Sequence, residues 1–388
     1  MLLGLGYLPN RTGPAIWRDF DAAEIQDDLM HIAALGFQAV RIPLFWSDFQ
    51  PSPDSINTRT LDRFGHFLQL AENSGLQVTA GLWTGMWDGA LWWPDWGVRP
   101  APLSPHWPLI VNDQWVRWGR IRHPFEDERM LEARNLLIQE LVAFYGQHPA
   151  LSGWEPLPGF GRLSAAAPRA AVIDWVGSTV DALDSAASSL PSTFLLALDA
   201  LETPAAIRPC DIIDAGGHPS LSIATFASDR RRLPLNARWI AFALDLTSTL
   251  AHRPISLHLA GLPTMPPGEP SASRDGVFYA NEEVAAEHLT EVIALAQDRE
   301  CPELWLWRWA DIPESHWIQP PYDHPNWRRH TGILRPDGSV KKLASAFQST
   351  TTTREYPALE FDPDEYRQDP HAHFQRLWTE YQQSTRAA

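Results

Sequence analysis

Apolar runs of strand length alternate with amphipathic runs of helix length from one end of this chain to the other, and no other feature of the sequence restricts the fold as strongly. The strand-like runs are Leu2 to Tyr7, Phe37 to Pro43, Leu76 to Leu82, Ala150 to Glu155, Thr193 to Leu198, Asp211 to Ala215, Pro254 to Leu259 and Glu303 to Trp309. Between them the apolar period lengthens to three and four residues, as in Ile25, Leu29 and Ile32 or Leu61, Phe64, Leu68 and Ala71, which places each set on one helix face. Start signals agree with the period. Asp21 with Glu24 has capping-box spacing, and Asn281 precedes the helix expected over 282–296. Further helices are expected over 128–145, 169–183 and 240–250. Strands that never pair off through tight hairpins call for parallel neighbours and crossover helices, so the expected fold is a single-domain (β/α)8 barrel over 1–348. An open, doubly wound sheet is the alternative, since spacing does not show closure. Residues 349–388 turn polar and read as an extension packed on, or trailing from, the barrel.

Composition narrows the function. With 31 basic against 47 acidic residues the formal charge is −16, which argues against nucleic acid and anionic membrane as partners, because both require a basic face. Cys210 and Cys301 lack the short spacing of a metal site and read as small core residues. No metal and no cofactor is expected. The first residues carry neither a basic segment nor a long apolar run, so a cytoplasmic location is expected.

Tryptophan is the conspicuous residue, with 19 in the chain. Trp83, Trp87, Trp92, Trp93 and Trp96 crowd the long excursion that follows the third strand, and Trp46 and Trp307 fall near other strand ends. Flat indole faces suit pyranose rings. The same residues serve equally as packing between helix and barrel, which is the reading for Trp154, Trp175 and Trp239.

Several stretches resemble the clan A glycoside hydrolases, in particular the family 5 cellulases and mannanases. Val40-Arg41-Ile42-Pro43-Leu44-Phe45-Trp46 is similar to the second-strand motif, whose arginine steadies the nucleophile. Gly85-Met86-Trp87-Asp88-Gly89 and Trp93-Pro94-Asp95-Trp96 resemble the Trp-rich third loop. His218-Pro219 is similar to the sixth-strand His-Pro-Tyr, with Ser220 in place of the tyrosine, and Trp307 to the eighth-strand sugar platform. The resemblance implies Arg41, Trp46, Trp83, Trp87, Trp93, Trp96, His218 and Trp307 as saccharide contacts and a β-linked oligosaccharide or polysaccharide as partner.

At the two positions that carry the family's chemistry the pattern departs. Trp154-Glu155-Pro156-Leu157-Pro158-Gly159-Phe160 aligns with the strand that ends in Asn-Glu-Pro and puts Gly159 at the acid/base. Pro254 to Thr264 aligns with the seventh strand and puts Leu259 at the nucleophile. Retaining hydrolysis needs two carboxyl groups about 5 to 5.5 Å apart, one to attack and one to protonate the leaving oxygen. Neither residue supplies one. The expectation is a pseudoenzyme with a Trp-lined saccharide cleft. Two alternatives stand beside it: an active β-glycosidase using displaced acids among Asp88, Glu155, Asp199, Glu202, Glu269, Asp275 and Asp311, and a scaffold or interaction protein without sugar affinity. Glu155 has the parity of the missing acid but lies on the order of 13 Å deeper, where pairing with Arg41 is the expected role.

Overall fold

The computed structural model describes residues 1–102, 108–186, 190–197, 201–203, 206–223, 237–348 and 356–384, apart from the side chains of Leu259 and Gln348. Eight parallel strands form the centre: β1 Leu2–Gly6, β2 Ala39–Phe45, β3 Gln77–Thr84, β4 Leu151–Pro156, β5 Thr193–Ala197, β6 His218–Ser222, β7 Ser256–Ala260 and β8 Glu303–Leu306. Their spatial order is β4-β3-β2-β1-β8-β7-β6-β5, and a parallel bridge between Trp154 and Ser192 joins the two ends. The sheet is therefore a single-domain (β/α)8 barrel. All seven residues of β2 are buried, as a strand covered on both faces by barrel interior and helices requires.

The crossover helices are α1 Ala22–Ala34, α2 Thr58–Asn73, α3 Glu128–Tyr145, α4 Arg169–Ser185, α5 Pro209–Asp214, α6 Ala237–Ala251 and α7 Glu282–Asp298. The caps explain where they begin. The Asp21 carboxylate accepts from the N–H groups of Ala23 and Glu24 at 3.1 Å each, while Glu24 turns to the Arg11 N–H at 2.7 Å, so only half of the capping box forms. Asn281 caps α7 through the Val284 N–H at 2.9 Å.

One sequence expectation is corrected here. Asp211 to Ala215 is not a strand, because Pro209 opens α5 in its first turn, and Asp211 accepts from the Arg208 N–H at 2.8 Å and from Arg169 at 2.9 and 2.6 Å. An Ile-Ile pair between acids fits helix or strand; proline at the first helical position and an acid two residues on favour helix. The sixth strand thus begins at His218 instead of ending near it.

The excursion after β3 is folded. Met86–Trp87, Ala90–Trp92, Leu109–Val111 and Gln114–Trp115 make a four-stranded sheet, and Val98–Arg99 pairs with Arg120–Ile121. Beyond the barrel follow α8 Pro363–Gln368 and α9 Pro370–Ser384, and α9 docks on α6. Trp378 meets Trp239 with centroids 4.6 Å apart, and Phe374 meets Phe242 at 5.4 Å. Among the described residues no helix is long and apolar enough to cross a membrane.

Candidate functional site

A cleft opens at the C-terminal ends of the strands, where catalytic groups sit in barrels of this kind. Arg41 of β2 and Trp87, Asp88 and Gly89 of the excursion line one side. Gly159, Gly161 and Arg162 follow β4, Ala197 and Ser222 end β5 and β6, and Trp307 and Arg328 close the ring. The cavity encloses about 110 Å³.

Gly159 does stand in the cleft wall, and its backbone has settled around the lack of a side chain. Its φ is +92°, and a Cβ built there would lie 2.3 Å from the Met86 Cβ. The Met86 N–H donates to the Pro158 carbonyl at 2.8 Å, which holds the two segments at that distance. A side chain at 159 thus meets both an unfavourable φ and a collision. Leu259 lies in β7, and its side chain is outside the described residues.

Five of the seven acids considered as replacements, Glu155, Asp88, Asp311, Glu202 and Glu269, are occupied. Glu155 and Arg41, both buried, form a bidentate pair through Arg41 Nε and Nη2, the latter 2.6 Å from Glu155 Oε1. Asp88, the one carboxylate lining the cleft among the described residues, takes Arg308 Nη2 on one oxygen and the Tyr322 hydroxyl on the other. Burial opposes the Arg308 charge, yet Asp88 and Tyr322 outweigh it and hold the guanidinium above its ordinary value. Burial, then Asp88, pushes the Tyr322 phenol well up, so it donates and stays protonated. Asp311 receives Lys341 Nζ at 2.7 Å, Glu202 takes Gln375 at 3.2 Å, and Glu269 pairs with Arg274 at the surface, at 3.0 Å. Asp275 sits at φ +51° in the turn between the paired strands Ala272–Arg274 and Val277–Tyr279. Asp199 lies outside the described residues.

The tryptophans divide. Trp87 and Trp307 line the cleft. Trp46, Trp83, Trp93 and Trp96 instead pack together behind it: Trp46 lies 5.4 Å from Trp93, 5.4 Å from Trp96 and 6.2 Å from Trp83. Trp46 donates to Gln50 Oε1 at 2.7 Å, Trp96 to the Gln50 carbonyl at 2.9 Å and Trp93 to the Gly97 carbonyl at 3.1 Å. His218 was expected at a strand's C-terminal end. It opens β6 at the opposite rim, exposed, with Nδ1 3.3 Å from Arg253 Nη2.

Three groups carry weight that the sequence did not announce. Arg162 sits in the short helix Phe160–Ser164, which takes up the turn after β4, and Arg328 follows Trp327 in a 3-10 turn; neither belongs to a period or a motif. His258 of β7 is buried, stacks on Trp305 at 5.6 Å and has no partner for either ring nitrogen. Burial first, and Arg41 second, push its pKa well below the usual 6.5, so the ring is neutral. Its parity in β7 was the available signal. Among the described residues no cluster of His, Cys, Asp and Glu has a metal-holding arrangement.

No family model and no curated protein matches the sequence. Solved structures do match in fold. A GH5_18 glycoside hydrolase from Streptomyces cattleya in complex with GlcNAc superimposes with a TM-score of 0.73 at 20% identity, over 95% of this chain and 86% of that one. A GH5_18 structure from Bifidobacterium longum subsp. longum gives 0.70 at 17%, over 92% and 81%. The exo-β-1,4-mannosidase Op5Man5 from Opitutaceae bacterium strain TAV5 gives 0.66 at 18%, over 97% of this chain and 60% of that one. The chain therefore has the fold of the clan A, family 5 glycoside hydrolases.

Proposed function

We propose that this protein is a catalytically inactive relative of the family 5 glycoside hydrolases that holds a β-linked saccharide in the cleft above its barrel. The observation that carries the reading is the state of the cleft's carboxylate: Asp88 spends both oxygens on Arg308 and Tyr322. Hydrolysis requires a free acid and a free nucleophile in fixed geometry. Glu155 is likewise spent on Arg41, and the backbone at Gly159 leaves no room for an acid. Saccharide binding draws support from Trp87 and Trp307, which offer indole surface in the cleft, and from fold neighbours solved with GlcNAc and with Manβ1-4GlcNAc.

Purified protein should release no product from aryl β-mannosides, β-glucosides or N-acetyl-β-glucosaminides, and Gly159→Glu with Leu259→Glu should not restore turnover. Calorimetry with Manβ1-4GlcNAc and longer β-linked glycans should give heat. Sustained hydrolysis, lost when Asp88 or Glu155 is changed to its amide, would return the protein to the active glycosidases. Silence across a broad glycan panel would favour the scaffold reading.

A further inference from the structure

Among the described residues, two guanidinium groups in the cleft have no ion-pair partner. Arg41 cancels against Glu155 and Arg308 against Asp88, which leaves Arg162 and Arg328. No carboxylate among the described residues lies within ion-pair reach of either. Arg162, half-buried, makes no hydrogen bond there, and Arg328 has one long side-chain contact, Nη1 to Asn326 Oδ1 at 3.5 Å. Burial, then the crowding of Arg162 and Arg308 against the pull of Asp88, brings Arg328 down to about 10.

Arg328 is nonetheless held in place. Its guanidinium lies over Trp327 at 4.3 Å and over Trp307 at 6.0 Å. Gly89, at φ +84°, makes the space: a Cβ there would fall 2.7 Å from Arg328 Nη1. Like charges gathered in a half-dry cavity cost stability, and in a chain of net charge −16 there is no shortage of acids to pair with them. An arrangement of this kind pays its way only when a ligand supplies the missing charge.

We propose that the cleft selects a saccharide bearing an anionic group, a carboxylate or a phosphate, which Arg162 and Arg328 bind while Trp307 carries the ring. This rests on the carbohydrate reading above and adds the charge. Planar guanidinium forks suit both anions, since each offers two oxygens to parallel N–H donors.

Calorimetry on the intact protein tests this with D-glucose, D-glucuronate, D-glucose 6-phosphate and inorganic phosphate as probes. At least one charged sugar should bind about ten-fold or more tighter than glucose, with the preference fading as salt rises. The carboxylate and phosphate arms tell which anion it is. Arg162→Gln and Arg328→Gln should each lower the ratio of charged-sugar to glucose affinity to near one, whatever they do to glucose itself; Arg162→Lys and Arg328→Lys, which keep the charge, should retain part of that ratio. If glucose matches the charged sugars, the anion proposal falls and the carbohydrate reading stands. If inorganic phosphate binds as tightly as glucose 6-phosphate, the anion site stands and the carbohydrate reading falls. Absence of all binding overturns the anion proposal, and the β-linked glycan panel then decides the carbohydrate reading.

Discussion

The aromatic wall behind β2 and β3 and the cleft above β4 are built from the same side chains, yet they do opposite things with them. In the wall, Trp46, Trp93 and Trp96 each pass their indole N–H to a partner on the same side of the barrel and their rings interlock edge to face, while the buried Trp83 N–H has none. In the cleft, among the described residues, the Trp87 N–H finds no acceptor and two arginines find no ion-pair partner. Saturated groups make a rigid surface; idle ones make a receptive surface. Richness in tryptophan therefore says little about sugar contact until the partners of each ring are known.

The widest separation between the two regions should come from Trp46→Ala, which hollows the wall and should cost about 3 to 5 kcal/mol of stability in denaturant melts. A loss under 1 kcal/mol would mean that the wall is not a packed unit. Next is Glu155→Gln, which turns a saturated arginine into an idle one: Arg41 stays buried without its counter-ion, and about 3 kcal/mol should be lost. Unchanged melting would show that Arg41 reaches solvent. Within the cleft, Trp307→Ala should weaken saccharide binding by about 1 to 3 kcal/mol by calorimetry, and retention of full affinity would leave Trp307 a packing residue like Trp46.

The smallest effect concerns His258, whose nitrogens are unpartnered in the barrel interior. His258→Phe keeps the stack on Trp305 and removes an unsatisfied polar group, so stability should rise by about 1 kcal/mol. The sign of the pH dependence follows from the depressed pKa. Below the usual 6.5 the unfolded chain takes a proton on this histidine while the folded chain does not, so the parent loses stability as pH falls and the variant's lead widens. A lead that narrows on acidification would mean that the folded imidazole is charged.

The barrel was legible because its signal is periodic: every crossover helix except α5 was expected from the sequence, and strands buried on both faces read as plain apolar runs. Asp211 to Ala215 was misread because five residues are too few to separate a period of two from one of 3.6. Gly159 could be placed because the resemblance to the family motif runs from Trp154 to Phe160 without a gap. The division of the tryptophans could not, because which way a ring turns depends on Gln50 and Gly97, residues without any motif. Arg162 and Arg328 were equally silent: an unpaired charge is a relation between distant segments, and one sequence does not display it.

Closure of the barrel has a further consequence. Most neighbouring strands share a run of paired residues, but among the described residues β4 meets β5 through the bridge at Trp154 and Ser192, with Trp154 N–H donating to the Pro191 carbonyl at 2.9 Å. A hoop gives way first at its loosest joint. Here the joint runs beneath Gly159 on one bank of the cleft and Ala197 on the other, so the seam and the binding surface share one fluctuation. Amide protons of Phe194 to Ala197 should exchange with solvent ahead of those in β2, and a ligand spanning the two banks should slow them, fastening the barrel as it fills the cleft.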